Sequence, residues 1–163
     1  IYKPDYVPPD PATGLTPNAT PFWMCAAAGA EVEVDTETGH VRIARLINVV
    51  DCGKPVNPKI VETQISGAAL MQLGFTMFEK MHIDAGQVTN ASLADYKIPG
   101  ILDVPVVMEN EAVAAEQANG PFGAKGVGET ATFCVSPEPL RVLGLGRHID
   151  ARRRQLARQQ ARG

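Results

Sequence analysis

The alternation of apolar and polar side chains divides the chain into short strand-like stretches and one long segment of another kind. Glu31-Val32-Glu33-Val34-Asp35 alternates with period two, and Val41-Arg42-Ile43-Ala44-Arg45-Leu46-Ile47 does so before turning apolar. Period two is the pattern of a strand with one face covered. The intervening Thr36-Glu37-Thr38-Gly39 is a turn, so the pattern predicts a hairpin. Its second strand runs on through Val49 and Val50 to a new turn at Asp51-Cys52-Gly53.

Asn57-Pro58 reads as a helix start, because Asn caps and Pro is favoured at the first helical position. From Thr63 to Phe78 no side chain is charged. The stretch is shorter than the roughly 20 residues needed to cross a bilayer. It predicts one long helix buried on all sides in a larger protein, with Gly67 and Gly74 marking close approach by another backbone or a ligand. Gln64 and Gln72 lie two turns apart on nearly the same face. Buried amides need partners, which here are either core backbone groups or a polar cofactor. His82 to Val88 predicts strand, glycine turn, strand; Asp95 to Pro99 is a chain reversal or extended pass; Val104 to Glu109 is a further short strand. The fold class expected is α+β, with hairpins and short strands packed around the long helix.

Composition adds organisation to this pattern. Six of the thirteen prolines fall within residues 1–22, which predicts an extended proline-rich segment over 1–25. A folded portion is expected over 26–136 and an Arg-rich tail over 137–163. The net charge of −3 is uneven. Residues 1–137 carry eight Lys and Arg against sixteen Asp and Glu, and residues 138–163 carry seven Arg against two acids. The acidic body gives no electrostatic reason to expect nucleic acid, and the tail reads as a solvated end. The abrupt change of charge, together with Ser136-Pro137-Glu138-Pro139 stopping the preceding helix, suggests a tail that is out of frame or otherwise altered. The chain opens on Ile1-Tyr2-Lys3 rather than Met and shows no signal-peptide pattern, which favours a fragment of something longer.

Cys25, Cys52 and Cys134 are widely spaced without a CxxC pair, so no local zinc ribbon or self-contained iron–sulfur motif is expected. Each reads as a small buried apolar residue of a reduced, cytoplasmic protein, with the periplasm left open. His40, His82 and His148 have no metal-ligand spacing, and no metal ligand is assigned.

The densest chemical signal is Gly120-Pro121-Phe122-Gly123-Ala124-Lys125-Gly126-Val127-Gly128-Glu129, four glycines in ten residues ending on a carboxylate. Such backbone turns tightly or lies close to something. It matches neither a phosphate loop nor a dinucleotide fingerprint. The run is either a glycine-rich surface turn with a solvated Glu129 or the presentation of a general base, and a helix starting near Glu129 would favour its charged form. Lys125 reads equally as a surface lysine or as a neutraliser of an anionic ligand. Asp51 reads as a turn-capping residue before it reads as an acid of a site.

Four ordered segments together resemble one family. Val50-Asp51-Cys52-Gly53-Lys54-Pro55-Val56-Asn57-Pro58, Thr63-Gln64-Ile65-Ser66-Gly67-Ala68 with Gln72-Leu73-Gly74, Asn90-Ala91-Ser92-Leu93-Ala94-Asp95-Tyr96-Lys97-Ile98-Pro99 with Asp103-Val104-Pro105, and the run from Gly120 to Glu129 resemble segments of the molybdenum-binding subunits of the xanthine dehydrogenase and aldehyde oxidoreductase family. Thr63 stands where that family has Gly, and Ala68 and Ala69 replace glycines. The resemblance implies the C-terminal part of a large molybdopterin-binding subunit that hydroxylates an aldehyde or N-heteroaromatic substrate with oxygen from water. It implies Glu129 as the catalytic base, Gln64 as a cofactor contact, and Gly123, Ala124, Lys125 and Gly126 as backbone close to the molybdenum–molybdopterin cofactor, whose dinucleotide form is also compatible. It further implies 2Fe-2S and FAD groups on partner domains or subunits, and no activity in the isolated fragment. The alternative is a non-catalytic structural or cofactor-scaffold piece that needs a partner chain.

Overall fold

The computed structural model describes residues 5–135. Residues 5–25 form turns without a strand or helix, tied by Val7 N to Asn18 O at 3.0 Å and Gly14 N to Asp10 O at 2.8 Å. The alternating stretches then pair as an antiparallel hairpin of β1 (Ala26–Val34) and β2 (Val41–Asp51), running from Ala26 opposite Val50 to Val34 opposite Val41 with a bulge between Glu31 and Val32. Asp35 builds the connecting turn. Its Oδ1 accepts from Glu37 N at 2.6 Å and Thr38 N at 3.1 Å, and Gly39 closes it at φ +76°.

Helix α1 (Pro58–Met77) starts where the sequence predicts, with Asn57 Oδ1 accepting from Ile60 N at 3.3 Å and Pro58 in the first turn. It is not buried on all sides. Val61, Ile65, Ala68, Ala69, Leu73 and Gly74 form one buried stripe against β2, a later strand (Val107–Val113) and a short helix (Thr132–Val135), whereas Thr63, Gln64, Gly67 and Phe75 are exposed. The lack of charge that suggested burial therefore belongs partly to a face that no described residue covers. The two helix glycines also differ. A Cβ at Gly74 would lie 2.9 Å from Pro99 Cδ, so Gly74 does admit a neighbour, while a Cβ at Gly67 would meet nothing within 4 Å.

After α1 come the predicted small hairpin, β3 (Ile83–Asp84) and β4 (Gln87–Val88), turned by Ala85 at φ +46° and Gly86 at φ +80°, and then a loop with one 3₁₀ turn at Ile101–Asp103. The next strand, β5, spans Val107–Val113 rather than Val104 to Glu109. Its extent is set by parallel pairing with β2, from Arg45 opposite Val107 to Asp51 opposite Val113, and Pro105 upstream has no N–H to contribute. The sheet order is β1-β2-β5, with the parallel pair joined through the crossover that contains α1. The fold is thus a small mixed α/β arrangement, a three-stranded sheet with a helix packed on one face. The chain then passes a 3₁₀ turn at Pro121–Gly123 and enters α2 (Thr132–Val135). The proposed altered tail over 137–163 lies outside the described residues.

Leu46, Val50, Ile65, Leu73 and Val135, each at most 1% exposed, fill the space between sheet and helices. Burial of each such side chain stabilises by about 1.5–3 kcal/mol. Asn48 and Thr130, each 1% exposed, are the buried polar residues among those described. Asn48 Nδ2 donates to Asn110 Oδ1 at 2.9 Å, and Asn110 Nδ2 donates to Ser66 Oγ at 2.8 Å, joining β2, β5 and α1. Cys52 is buried as expected, but Cys25 is exposed, because it lies just before β1 begins.

Candidate functional site

The glycine-rich run is fastened to the turn that ends β2. Gly53 and Ala124 form an antiparallel bridge, flanked by Lys54 N to Gly123 O at 2.8 Å and Lys125 N to Cys52 O at 2.9 Å. Gly53 sits at φ +61°, and a Cβ there would fall 2.4 Å from Gly123 O. Only glycine permits that approach. Cys52 is anchored to the sheet through its N–H on Val113 O at 3.3 Å, and burial pushes its thiol up, keeping it neutral.

Asp51 joins the two segments by its side chain. Oδ1 accepts from Gly53 N at 3.0 Å, the turn-capping role read from the sequence. Oδ2 lies 2.6 Å from Lys125 Nζ, and the two side chains are 18% and 7% exposed. Lys125 Nζ also donates to Trp23 O at 3.1 Å. The Lys125 hydrogen bond first, and then the Gly53 N–H, hold the Asp51 carboxyl below the usual carboxylate range. Lys125 is therefore neither a surface lysine nor a free cation. Local sequence patterns treat Asp51 and Lys125 separately; the signal that joins them is that both belong to segments of the same family resemblance.

Past Lys125 the chain emerges and returns. Gly126, Gly128 and Glu129 are exposed, while Thr130 and Ala131 are each 1% exposed. Thr130 Oγ1 lies 3.3 Å from Met24 Sδ and 3.4 Å from Gly126 O, and Thr132 N donates to Glu129 O at 3.0 Å as α2 begins. The backbone N–H groups of Gly126, Val127, Gly128 and Glu129 donate to nothing among the described residues, and a Cβ at Gly128 would meet nothing within 4 Å. Phe122, at φ +55°, is 93% exposed beside this loop.

The structure thus brings Gly123, Ala124 and Lys125 together with Asp51-Cys52-Gly53, leaves Gly126 beside Thr130, and places Glu129 three residues beyond Gly126. Gln64 stands apart on the exposed face of α1, its amide without a partner among the described residues. Gln72 is only partly buried. A groove of about 580 Å³ between Val41, Leu73, Met77 and Leu102 contains none of these residues. Among the described residues no cluster of three or more His, Cys, Asp or Glu is placed to hold a metal ion, and no helix is long and apolar enough to cross a membrane.

Residues 2–105 match the family described as the molybdopterin cofactor-binding domain. The chain is 38% identical over 109 residues to the probable hypoxanthine oxidase of Escherichia coli (strain K12), covering 66% of this chain and 11% of that protein. It is 35% identical over 129 residues to a probable xanthine dehydrogenase subunit of Bacillus subtilis (strain 168), covering 79% and 17%. The crystal structure of quinoline 2-oxidoreductase from Pseudomonas putida 86 is similar at a TM-score of 0.62 and 36% identity, over 67% of this chain and 14% of that one. The chain spans between about a tenth and a fifth of the length of these relatives.

Proposed function

Because the chain belongs to the molybdopterin cofactor-binding domain family, we propose that it is part of the molybdenum-binding subunit of a hydroxylase and that Glu129 is its general base. The observation that carries the reading is the placement of Glu129. It is exposed at the end of a glycine run, with the buried Lys125 side chain on one side and the buried Thr130 and Ala131 on the other. A carboxylate held between two fixed points keeps its position while staying free to accept a proton.

The residues fit the cofactor. N–H groups from Gly126 to Glu129 and a Gln64 amide that have no partner among the described residues, with open space at Gly128, suit a polar group rich in hydrogen-bond acceptors. Gly123 and Ala124 contribute by holding that backbone in place, and Lys125 through its backbone and its fixed side chain. When bound, the molybdenum cofactor supplies the two-electron acceptor and the centre at which water-derived oxygen is activated. Glu129 would accept a proton at a carboxylate oxygen and return it to solvent. The bare face of α1 and the exposed Glu129 call for cover by the rest of the large subunit, which would also make the site dry enough for general-base catalysis. Iron–sulfur and flavin groups on partner subunits would carry the electrons away. The substrate class proposed is an aldehyde or an electron-poor N-heteroaromatic.

The test is Glu129→Gln in the assembled enzyme. Molybdenum content, measured by metal analysis, stays at the parent level while hydroxylation is abolished, because an amide does not accept the proton. Near-normal turnover by that variant overturns the assignment.

A further inference from the structure

We propose that the Asp51–Lys125 pair is the positioning device for Glu129, a role that rests on the reading of Glu129 as the base. Lys125 precedes Glu129 by four residues and is the last residue of the glycine run that a side-chain ion pair ties to the sheet before the carboxylate. Its ammonium is committed on two sides, to Asp51 Oδ2 at 2.6 Å and to Trp23 O at 3.1 Å, with the side chain only 7% exposed. Asp51 is itself fixed, since Oδ1 accepts from Gly53 N at 3.0 Å and the residue ends β2 opposite Val113 of β5. The rigid sheet therefore reaches the loop through this carboxylate.

The intervening residues cannot do this alone. Gly126 and Gly128 have broad backbone freedom, and their N–H groups and those of Val127 and Glu129 make no hydrogen bond among the described residues. Downstream, Thr130 and Ala131 fix the far end, Thr130 Oγ1 lies 3.4 Å from Gly126 O, and Val127 packs against the core, but none of these contacts ties the run to the end of β2. Glu129 is held at one distance from the sheet because both ends of a short glycine-containing span are anchored. Release of the Lys125 end leaves a hinge. A displacement of about 1 Å at a reacting group costs on the order of 10²-fold in rate, so the pair is worth that much to the reaction without touching substrate. The same geometry withdraws the Lys125 ammonium from direct neutralisation of a bound anion.

The experiment compares Lys125→Met, Lys125→Arg, Asp51→Asn and Glu129→Gln in the full-length subunit within its complex. It reads amide hydrogen exchange over residues 121–129, cofactor content, kcat and KM. Lys125→Met and Asp51→Asn are each expected to raise exchange over 121–129 at least tenfold relative to β2. Both lower kcat about 10²-fold, with KM within about threefold and cofactor retained, and Lys125→Arg restores part of both effects. Unchanged exchange in Lys125→Met overturns the positioning role whatever the rate does, as does loss of cofactor with exchange unchanged. Should Lys125→Met not fold, Asp51→Asn, which preserves side-chain size, decides by the same readout. Glu129→Gln separates the two readings: it leaves exchange at the parent value, and normal turnover in that variant removes the base while the exchange result for the pair still stands.

Discussion

Asn48 and Asn110 lie directly opposite one another in the parallel β2–β5 pair and share a hydrogen bond from Nδ2 to Oδ1 at 2.9 Å. Asn48 is 1% exposed, and its own Oδ1 has no partner among the described residues. Asn110→Ala would leave the whole Asn48 amide unpaired in the core, at a cost of about 1–3 kcal/mol. Ser66→Ala, which removes the last member of the series, costs less, because Asn110 is only partly buried and can turn to water. Urea-unfolding midpoints of the two variants check the order.

Gly53→Ala is expected to be among the most damaging single-methyl additions in the chain. The left-handed backbone at φ +61° costs a β-carbon about 1–2 kcal/mol, and the 2.4 Å approach to Gly123 O forces the bridge to Ala124 apart as well. Gly29→Ala is the control. Its Cβ meets nothing within 4 Å, and a strand glycine replaced by Ala gains about 0.5–1 kcal/mol. Equal melting temperatures for the two variants would contradict this account.

Leu73 and Gln64 separate the two faces of α1. Leu73→Ala opens a cavity under a side chain that is 1% exposed and costs about 2–5 kcal/mol. Gln64→Ala changes an exposed position and stays within about 0.5 kcal/mol in stability. On the proposed cofactor reading it nevertheless lowers molybdopterin retention, which metal analysis and thermal denaturation distinguish when run side by side.

The Asp51 carboxyl sets an acid limit. Its folded value is depressed by Lys125 and by the Gly53 N–H, so its contribution to stability is fully present above the unfolded value of about 3.9. The contribution is lost as pH falls below that value and through the lower folded one. Asp51→Asn should flatten the stability profile in that acid window and leave its slope near neutrality unchanged. Thermal melts between pH 2 and about pH 6 provide the measurement.

Local patterns in the chain proved sufficient for local structure. The alternation around Glu31 and Ile43 marked the hairpin, Asn57-Pro58 marked the start of α1, and Ala85-Gly86 turned β3 into β4. Where the determining partner is far along the chain, pattern reading fell short. The extent of β5 depends on its register against β2, and the bare face of α1 depends on which elements happen to cover it. The pairing of Asp51 with Lys125 crosses 74 positions. No periodicity encodes an ion pair of that separation, though the family resemblance already placed both segments in one set. For Glu129 the sequence supplied the residue and its glycines, and the fold added the two fixed points on either side.

The parallel pairing of β2 with β5 has a consequence for the order in which the molecule assembles. Every contact of the glycine run with the Asp51 turn closes a loop that contains α1, the small hairpin and β5. Loop-closure entropy must be met before such distant contacts stabilise anything, and folds rich in them form slowly. The surface that presents Glu129 therefore completes late in folding, after the helix and sheet that carry it are already in place.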